Sequence, residues 1–108
     1  MVGRTWRGST RAADADRYAA YIAETGLAAY RSTPGNRGAW LLHRVVGDRA
    51  EFLALSLWDS LDAIRTFAGD DVERAVFYPE DDEFLVDREL TAEHWEVTEA
   101  PEGRRSAA

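Results

Sequence analysis

Residues 50–60 have the pattern of a β-strand with apolar side chains on both of its faces. One face carries Leu53, Leu55 and Leu57, and the other carries Phe52, Ala54, Ser56 and Trp58. An antiparallel sheet with one face in water would alternate apolar with polar residues instead. Both faces of this strand are therefore expected to be covered.

Three further strands are predicted, over residues 4–10, 38–46 and 91–98. Gly47 and Asp48 form a two-residue turn signal between two of the strands, because Gly supplies the positive φ that such turns require. The result is a hairpin of residues 38–46 and 50–60.

The hairpin turn fixes which residues face each other. Arg44 is expected opposite Glu51, and His43 opposite Phe52. Residues directly opposite share a face of the sheet. The side chains predicted to share the Phe52 face are Ala39, Leu41, His43, Ser56 and Trp58, and those predicted to share the other face are Trp40, Leu42, Leu53, Leu55 and Leu57.

Two helices are predicted between the strands. The first is capped by Asp14 or Asp16 and broken at Gly26, and the second is capped by Asp59 or Ser60 and stopped at Gly69. A helical turn over residues 80–85 is expected after Pro79, and residues 101–108 are expected to be a disordered tail.

The predicted order is strand, helix, strand, strand, helix, strand. This is the α+β, ferredoxin-like βαββαβ arrangement with a four-stranded antiparallel sheet. Both crossovers place their helices on one side of the sheet. The other side is left to a second copy of the chain, and the predicted state is a homodimer with a ligand cavity between two sheets. Residues 1–99 are expected to form one domain.

Composition limits the classes of function. The 108 residues include no Cys, so a disulfide or thiolate metal site is excluded, and no apolar run is long enough for a membrane span. Residues 70–89 hold nine carboxylates against two Arg, and the chain has a net charge of −7. Without a basic stripe, nucleic-acid binding is not expected. The acidic segment matches no metal-binding loop, so no metal is predicted. The expected location is the cytoplasm, because no secretory signal is evident.

Several short segments together resemble the antibiotic biosynthesis monooxygenase family. They are W-R-G-S-T (6–10), P-G-N-R-G (34–38), G-D-R-A-E-F-L (47–53), L-S-L-W-D-S (55–60), F-A-G-D-D (67–71), Y-P-E-D-D (78–82) and E-H-W-E-V (93–97). The resemblance implies a dimeric α/β barrel. It also implies one of two activities, oxidation of aromatic polyketides by molecular oxygen without a cofactor or the binding and degradation of haem, and many members of the family have no known substrate.

The haem-degrading relatives carry an Ala-His pair after the second helix, whose His binds iron. The matching pair here is Ala75 and Val76, and the relatives' first-strand Asn falls at Gly8. Trp58 matches the Trp of their W-x-S segment. The resemblance therefore argues against haem degradation by that mechanism.

Three residues are the catalytic candidates. His94 could act as a base because its pKa lies near neutrality. Arg7 could hold an anionic oxygen, provided that Trp6 and Gly8 face the helices. Tyr78, in the loop before Pro79, could bind a substrate oxygen.

The predicted substrate wall consists of Trp58, Phe52, Ser56, Leu41 and Phe77. An indole ring such as that of Trp58 can stack on a flat aromatic ligand, although packing in a dimer interface is the more common reason for such a residue. The first functional hypothesis is a cofactor-independent monooxygenase for a small hydrophobic aromatic metabolite. The alternative is a non-catalytic dimeric ligand-binding or stress-related protein, and haem binding or degradation is a third.

Overall fold

The computed structural model describes residues 1–99, so the predicted disordered tail lies outside the described residues. Within these residues, five antiparallel strands form one sheet: β1 (Val2–Arg11), β2 (Asn36–Val46), β3 (Arg49–Trp58), β4 (Leu85–Arg88) and β5 (Glu93–Glu96). The order is β2-β3-β1, and β4 and β5 both pair with the remaining edge of β1. The α+β, ferredoxin-like prediction is confirmed.

The helices lie on one side of this sheet. They are α1 (Ala15–Ile22), α2 (Ala28–Ser32), α3 (Leu61–Ala68) and the single turn α4 (Asp81–Phe84). Ser60 caps α3 by accepting a hydrogen bond from the Ala63 amide at 3.2 Å, and Gly69 ends it with φ at 89°. Within residues 1–99, none of these helices has the length and hydropathy that a membrane crossing requires.

The prediction that Gly26 ends the first helix is wrong. A π-helical turn, Ala23–Leu27, connects α1 to α2 without leaving helical geometry. Leu27 is buried against the sheet, which favours continuing the helix over breaking it at the glycine. The predicted turn at Pro79 is confirmed as α4, one residue shorter at each end.

The hairpin register is confirmed residue by residue. Arg44 lies opposite Glu51 and His43 opposite Phe52, across a turn in which Gly47 has φ of 64°. The Arg44 Nε donates to Glu51 Oε1 at 2.7 Å. The turn chemistry and the alternating pattern were sufficient to fix this half of the sheet.

The sheet has one strand more than the prediction. β4 pairs Gly8 with Arg88 and Ser9 with Asp87, and a bulge follows before Thr10. Four residues are too few for an alternating pattern to be recognised, and β4 follows directly on the predicted helical turn. The predicted last strand is present but is limited to β5.

The helices cover the face of the sheet opposite to the one expected. Phe52 and Trp58 are 2% and 0% exposed because α1, α2 and α3 pack on them. Tyr18 and Tyr30 meet these rings edge-on, with centroids 5.0 and 5.7 Å apart. The prediction that this face lines a cavity between two sheets is therefore wrong. Small residues at alternate β3 positions leave room for helix side chains on this face: Ala50, Ala54 and Ser56.

Candidate functional site

A cavity lies between the sheet and the helices. Its lining combines β1, β3, α1, α2, the π-helical turn, the C-terminal part of α3 and the loop before α4. Its volume of about 30 Å³ exceeds the roughly 10–15 Å³ that one water needs. An aromatic ligand is larger, so its entry requires the surrounding side chains to move.

The cavity wall is largely aromatic. Trp6 and Phe77 meet edge-on with centroids 6.0 Å apart, and Tyr30 and Phe67 do so at 4.6 Å. Trp6 is fixed in place because its Nε1 donates to the Glu89 carbonyl at 2.7 Å. Such a lining suits a flat hydrophobic ligand.

Gly8 explains how the Trp6 ring reaches this position. A Cβ at residue 8 would lie 2.5 Å from the outer edge of the Trp6 indole. Both residues face the helices, since alternate residues of a strand share a face. The glycine at this position is therefore required by the tryptophan.

Arg4 brings a buried positive charge to the cavity. Its side chain lines the cavity, and the residue is 1% exposed. Nη1 donates to the Val72 carbonyl at 2.5 Å, and Nη2 donates to the Arg74 carbonyl at 3.0 Å. Among the described residues, Arg4 Nε is the one buried side-chain polar atom without a hydrogen-bond partner.

His94 lies beside Arg4 and does not line the cavity. The two residues are paired across β1 and β5, and His94 Nε2 is 2.9 Å from Arg4 Nη1. Because a guanidinium can only donate, Nε2 must accept and the imidazole is neutral. Burial and the Arg4 charge lower the pKa of His94, and Glu73 opposes this effect.

A buried carboxylate forms another part of the wall. Asp81 is 3% exposed; its Oδ1 accepts from the Tyr18 hydroxyl at 2.9 Å and its Oδ2 from the Tyr78 amide at 2.7 Å. Burial and Asp81 raise the pKa of Tyr18, so its hydroxyl stays protonated. Burial and the nearby Tyr30 raise the pKa of Tyr78.

A second, open concavity of about 610 Å³ is lined by residues of β1, β2, β3 and the segment 87–89. Arg7 lines it, on the face of the sheet that the helices leave free, and its Nη1 lies 4.0 Å from Glu93 Oε1. Trp6 and Gly8 face the helices, which answers the question of strand parity that the sequence left open. Arg7 and the predicted substrate wall nevertheless lie on opposite faces.

Seven of the eight predicted site residues are thus divided among three places, and His94 lies apart from them, beside Arg4. Phe77 and Tyr78 line the cavity under the helices, and Arg7 lines the open concavity. The Phe52 side chain is in the core, although the residue borders the open concavity. The other members of the predicted wall pack in the core: Trp58, Ser56 and Leu41.

The side chains of Trp58 and Ser56 form a hydrogen bond with each other inside the core. The Trp58 Nε1 donates to the Ser56 hydroxyl at 2.8 Å, and both residues are fully buried. The indole ring also packs on Phe67, with centroids 6.2 Å apart. The geometry assigns this pair to packing between sheet and helices.

Arg4, Trp6 and Asp81 belong to the cavity but were not among the predicted site residues. Arg4 lies on the same face of β1 as Trp6, because alternate residues of a strand share a face. Its position under the helices therefore follows once Trp6 is placed there. Asp81 was counted only as one of nine carboxylates in an acidic segment. Its burial depends on Tyr18, which is distant in sequence.

The donor set of the cavity does not fit an iron-bound haem. Ala75 and Val76 line the cavity at the positions where the resemblance would require an Ala-His pair. His94 Nε2 is engaged by Arg4, and His43 stacks on Phe52 outside the cavity. Within residues 1–99, no group of three or more His, Cys, Asp or Glu side chains is arranged to hold a metal ion.

The fold is similar to those of several solved structures. A Bacillus cereus protein assigned provisionally to the antibiotic biosynthesis monooxygenases has a TM-score of 0.65 at 11% identity, over 94% of this chain and 96% of its own. The haem degrader MhuD of Mycobacterium tuberculosis, with two haems in its active site, has a TM-score of 0.59 at 19% identity, over 94% of this chain and 100% of its own. A variant of MhuD with two manganese protoporphyrins per active site has a TM-score of 0.62 at 20% identity, over 95% of this chain and 100% of its own.

These likenesses confirm the predicted resemblance to antibiotic biosynthesis monooxygenases at the level of the fold. No family model matches the chain, and no curated protein sequence is close enough to match it.

Proposed function

We propose that this chain is a cofactor-independent monooxygenase that acts on a small hydrophobic aromatic metabolite in the cavity between the sheet and the helices. The observation that carries the proposal is the cavity itself. It joins an aromatic wall to a buried carboxylate in a fold similar to that of monooxygenases.

The reaction uses molecular oxygen as the sole oxidant. A base removes a proton from an activated CH2 group flanked by aryl rings, and the resulting carbanion passes electrons to O2. A C–O bond forms and a second proton is lost with cleavage of the O–O bond. The balance is CH2 + O2 → C=O + H2O, with one oxygen atom in the carbonyl and the other in water.

Asp81 is the proposed proton acceptor in the cavity wall. A carboxylate has lone pairs beyond the two that accept from Tyr18 and the Tyr78 amide. The Tyr78 hydroxyl is the proposed contact for a substrate oxygen. His94 is not retained as the base, because its Nε2 accepts from Arg4.

A second copy of the chain is the proposed cover for the free face of the sheet. Trp40, Leu42 and Trp95 on this face are 43%, 48% and 54% exposed, beside the three leucines of β3. An apolar patch of this kind on a soluble monomer usually marks an interaction site. The homodimer thus covers the leucine face, and each chain keeps its own cavity under the helices.

Oxygen consumption with anthralin, a dihydroxyanthrone, tests the proposed activity. The wild type should form one carbonyl for each O2 consumed, with one labelled atom from ¹⁸O2 in the product. Asp81→Asn should lower kcat by about 100-fold or more, because a positioned base contributes at least that much. Glu83→Gln, an exposed neighbour on α4, is the matched control.

Retention of anthralin without oxygen uptake would contradict the proposed oxygenase and favour the binding protein. A Soret band of coordinated haem on adding hemin would instead contradict the assignment of the cavity donor set.

A further inference from the structure

We infer that Arg4 is the anchor for an ionised oxygen of the ligand, so that the cavity selects acidic hydroxyaromatic compounds and binds them as phenolates. The inference rests on the proposed function and names the substrate class of the same site.

The first argument is the incomplete set of hydrogen bonds around the guanidinium. Arg4 has five N–H groups, and three of them are used: two on Nη1, to Val72 and His94, and one on Nη2, to Arg74. Nε has no partner although it is buried. A buried donor left without an acceptor costs about 1–3 kcal/mol. An additional acceptor in the cavity would remove this cost.

The second argument is the missing counter-charge. The acceptors of Arg4 are two carbonyls and a neutral imidazole, and no carboxylate of residues 1–99 forms a salt bridge with it. An arginine stays protonated in a protein, and burial of an unpaired charge is expensive. Asp81 lines the same cavity but forms no salt bridge with Arg4; the groups that donate to it are the Tyr18 hydroxyl and the Tyr78 amide. The described carboxylates therefore leave Arg4 without a salt-bridge partner, and Glu73 acts on the neighbouring His94 through its charge alone.

The third argument is the shape of the lining around this charge. Trp6, Tyr30, Phe67, Phe77 and Tyr78 supply flat apolar surface. A small inorganic anion would use the charge but not the rings, whereas a neutral hydrocarbon would leave the charge unpaired. An aromatic ring with an ionised hydroxyl matches both properties.

His94 has the role of a positioning residue in this arrangement. Its Nε2 holds Nη1 of Arg4 and so directs the unused edge of the guanidinium. The groups that act on this pair include Glu73, whose charge raises the pKa of His94, and Arg74, whose carbonyl accepts from Arg4. Tyr18, Tyr30, Tyr78 and Asp81 are the other titratable groups that line the cavity.

A pair of coloured probes tests the inference on the wild-type protein. Para-nitrophenol ionises, and its absorbance reports the phenolate; para-nitroanisole has the same ring but cannot ionise. An adjacent cation should lower the pKa of the bound phenol by about 1–3, so the phenolate should bind at least about tenfold more tightly than the phenol. Para-nitroanisole should bind weakly and without pH dependence over the same range.

Variants of Arg4 test whether this residue causes the preference for the phenolate. Arg4→Met should abolish the preference for the phenolate, and Arg4→Lys should keep part of it because the charge remains. Arg44→Met removes an exposed arginine paired with Glu51 and serves as the control. If Arg4→Met does not fold, the comparison of the two probes on the wild type still decides.

Two results would overturn the inference. One is equal affinity for para-nitrophenol and para-nitroanisole at every pH, and the other is no saturable binding of para-nitrophenol. Phenolate binding without oxygen uptake from anthralin would leave the inference standing and reject the proposed oxygenase. Oxygen uptake from anthralin without a preference for the phenolate would support the proposed oxygenase and reject the inference about Arg4.

Discussion

Arg4 on β1 and His94 on β5 are paired across the sheet, and Arg4 Nη1 donates to His94 Nε2 at 2.9 Å. The pairing places a permanent cation against an imidazole that must remain neutral to accept the bond. Protonation of His94 would remove the acceptor and put two cations in contact. The arrangement is therefore sensitive to acid.

The first prediction concerns the free energy of unfolding as a function of pH. Burial and Arg4 lower the pKa of His94 in the folded protein, so below the usual His value of about 6.5 the unfolded chain binds more protons than the folded one. His94 therefore contributes stability that is present above that pH and lost as the pH falls toward its folded pKa. Urea unfolding between pH 8 and about pH 5 measures the loss.

His94→Gln is the informative variant for this prediction, since an amide oxygen can accept from Arg4 but does not titrate. It should flatten the pH dependence in this range. His43→Gln, at the ring that stacks on Phe52, is the matched His→Gln substitution with which it is compared. An identical pH dependence in His94→Gln and the wild type would contradict the prediction.

Gly8→Ala should destabilise the protein by about 1–3 kcal/mol, the usual cost of overpacking a core. The new methyl group would meet the Trp6 indole at 2.5 Å and Leu85 at 3.2 Å. Gly3→Ala on the same strand is the control, because its nearest neighbour is Val97 at 3.4 Å. Urea unfolding and the Trp fluorescence spectrum compare the two, and equal midpoints would refute the proposed reason for Gly8.

Ser56→Ala should cost about 1–3 kcal/mol of unfolding free energy, because it leaves the buried Trp58 N–H without an acceptor. In a Trp58→Phe background the same serine change should cost less, since no indole N–H remains. A double-mutant cycle measures this coupling. A coupling energy of zero would show that the hydrogen bond between Trp58 and Ser56 does not contribute to the stability of the core.

Leu42→Arg should dissociate the proposed homodimer. Leu42 is 48% exposed in the single chain and lies on the free face beside Leu53. A charge at the centre of an apolar interface costs more than it does in water. Sedimentation at micromolar concentration measures the mass. Leu61→Arg, at a leucine that is 40% exposed on the helix side, should leave the mass unchanged.

The sequence predicted the hairpin because its information is local. The Gly47 turn and the alternation on either side determine the pairing of Arg44 with Glu51 without reference to the rest of the chain. β4 was missed because its pairing with Gly8 and Ser9 depends on residues far apart in sequence.

The face of the sheet that receives the helices was predicted wrongly for a different reason. Both faces of β3 are apolar, so periodicity alone cannot distinguish them. The alternation of aromatic with small residues at Phe52, Ala54, Ser56 and Trp58 was the usable signal, because helices need room between the rings.

The site was predictable in part only. Phe77 and Tyr78 were located in a loop that does line the cavity, but Arg4 is one of thirteen arginines in the chain. Its importance follows from burial and from contacts with residues 72–74 and 94, which only the tertiary structure brings together.

A crystal structure with bound para-nitrophenol tests the central claim most directly, namely that the ligand site lies under the helices at Arg4. The account predicts the ring between Trp6 and the helices, with its oxygen within hydrogen-bond distance of the Arg4 guanidinium. A ring bound instead against the leucine face of the sheet, beside Arg7, would contradict it.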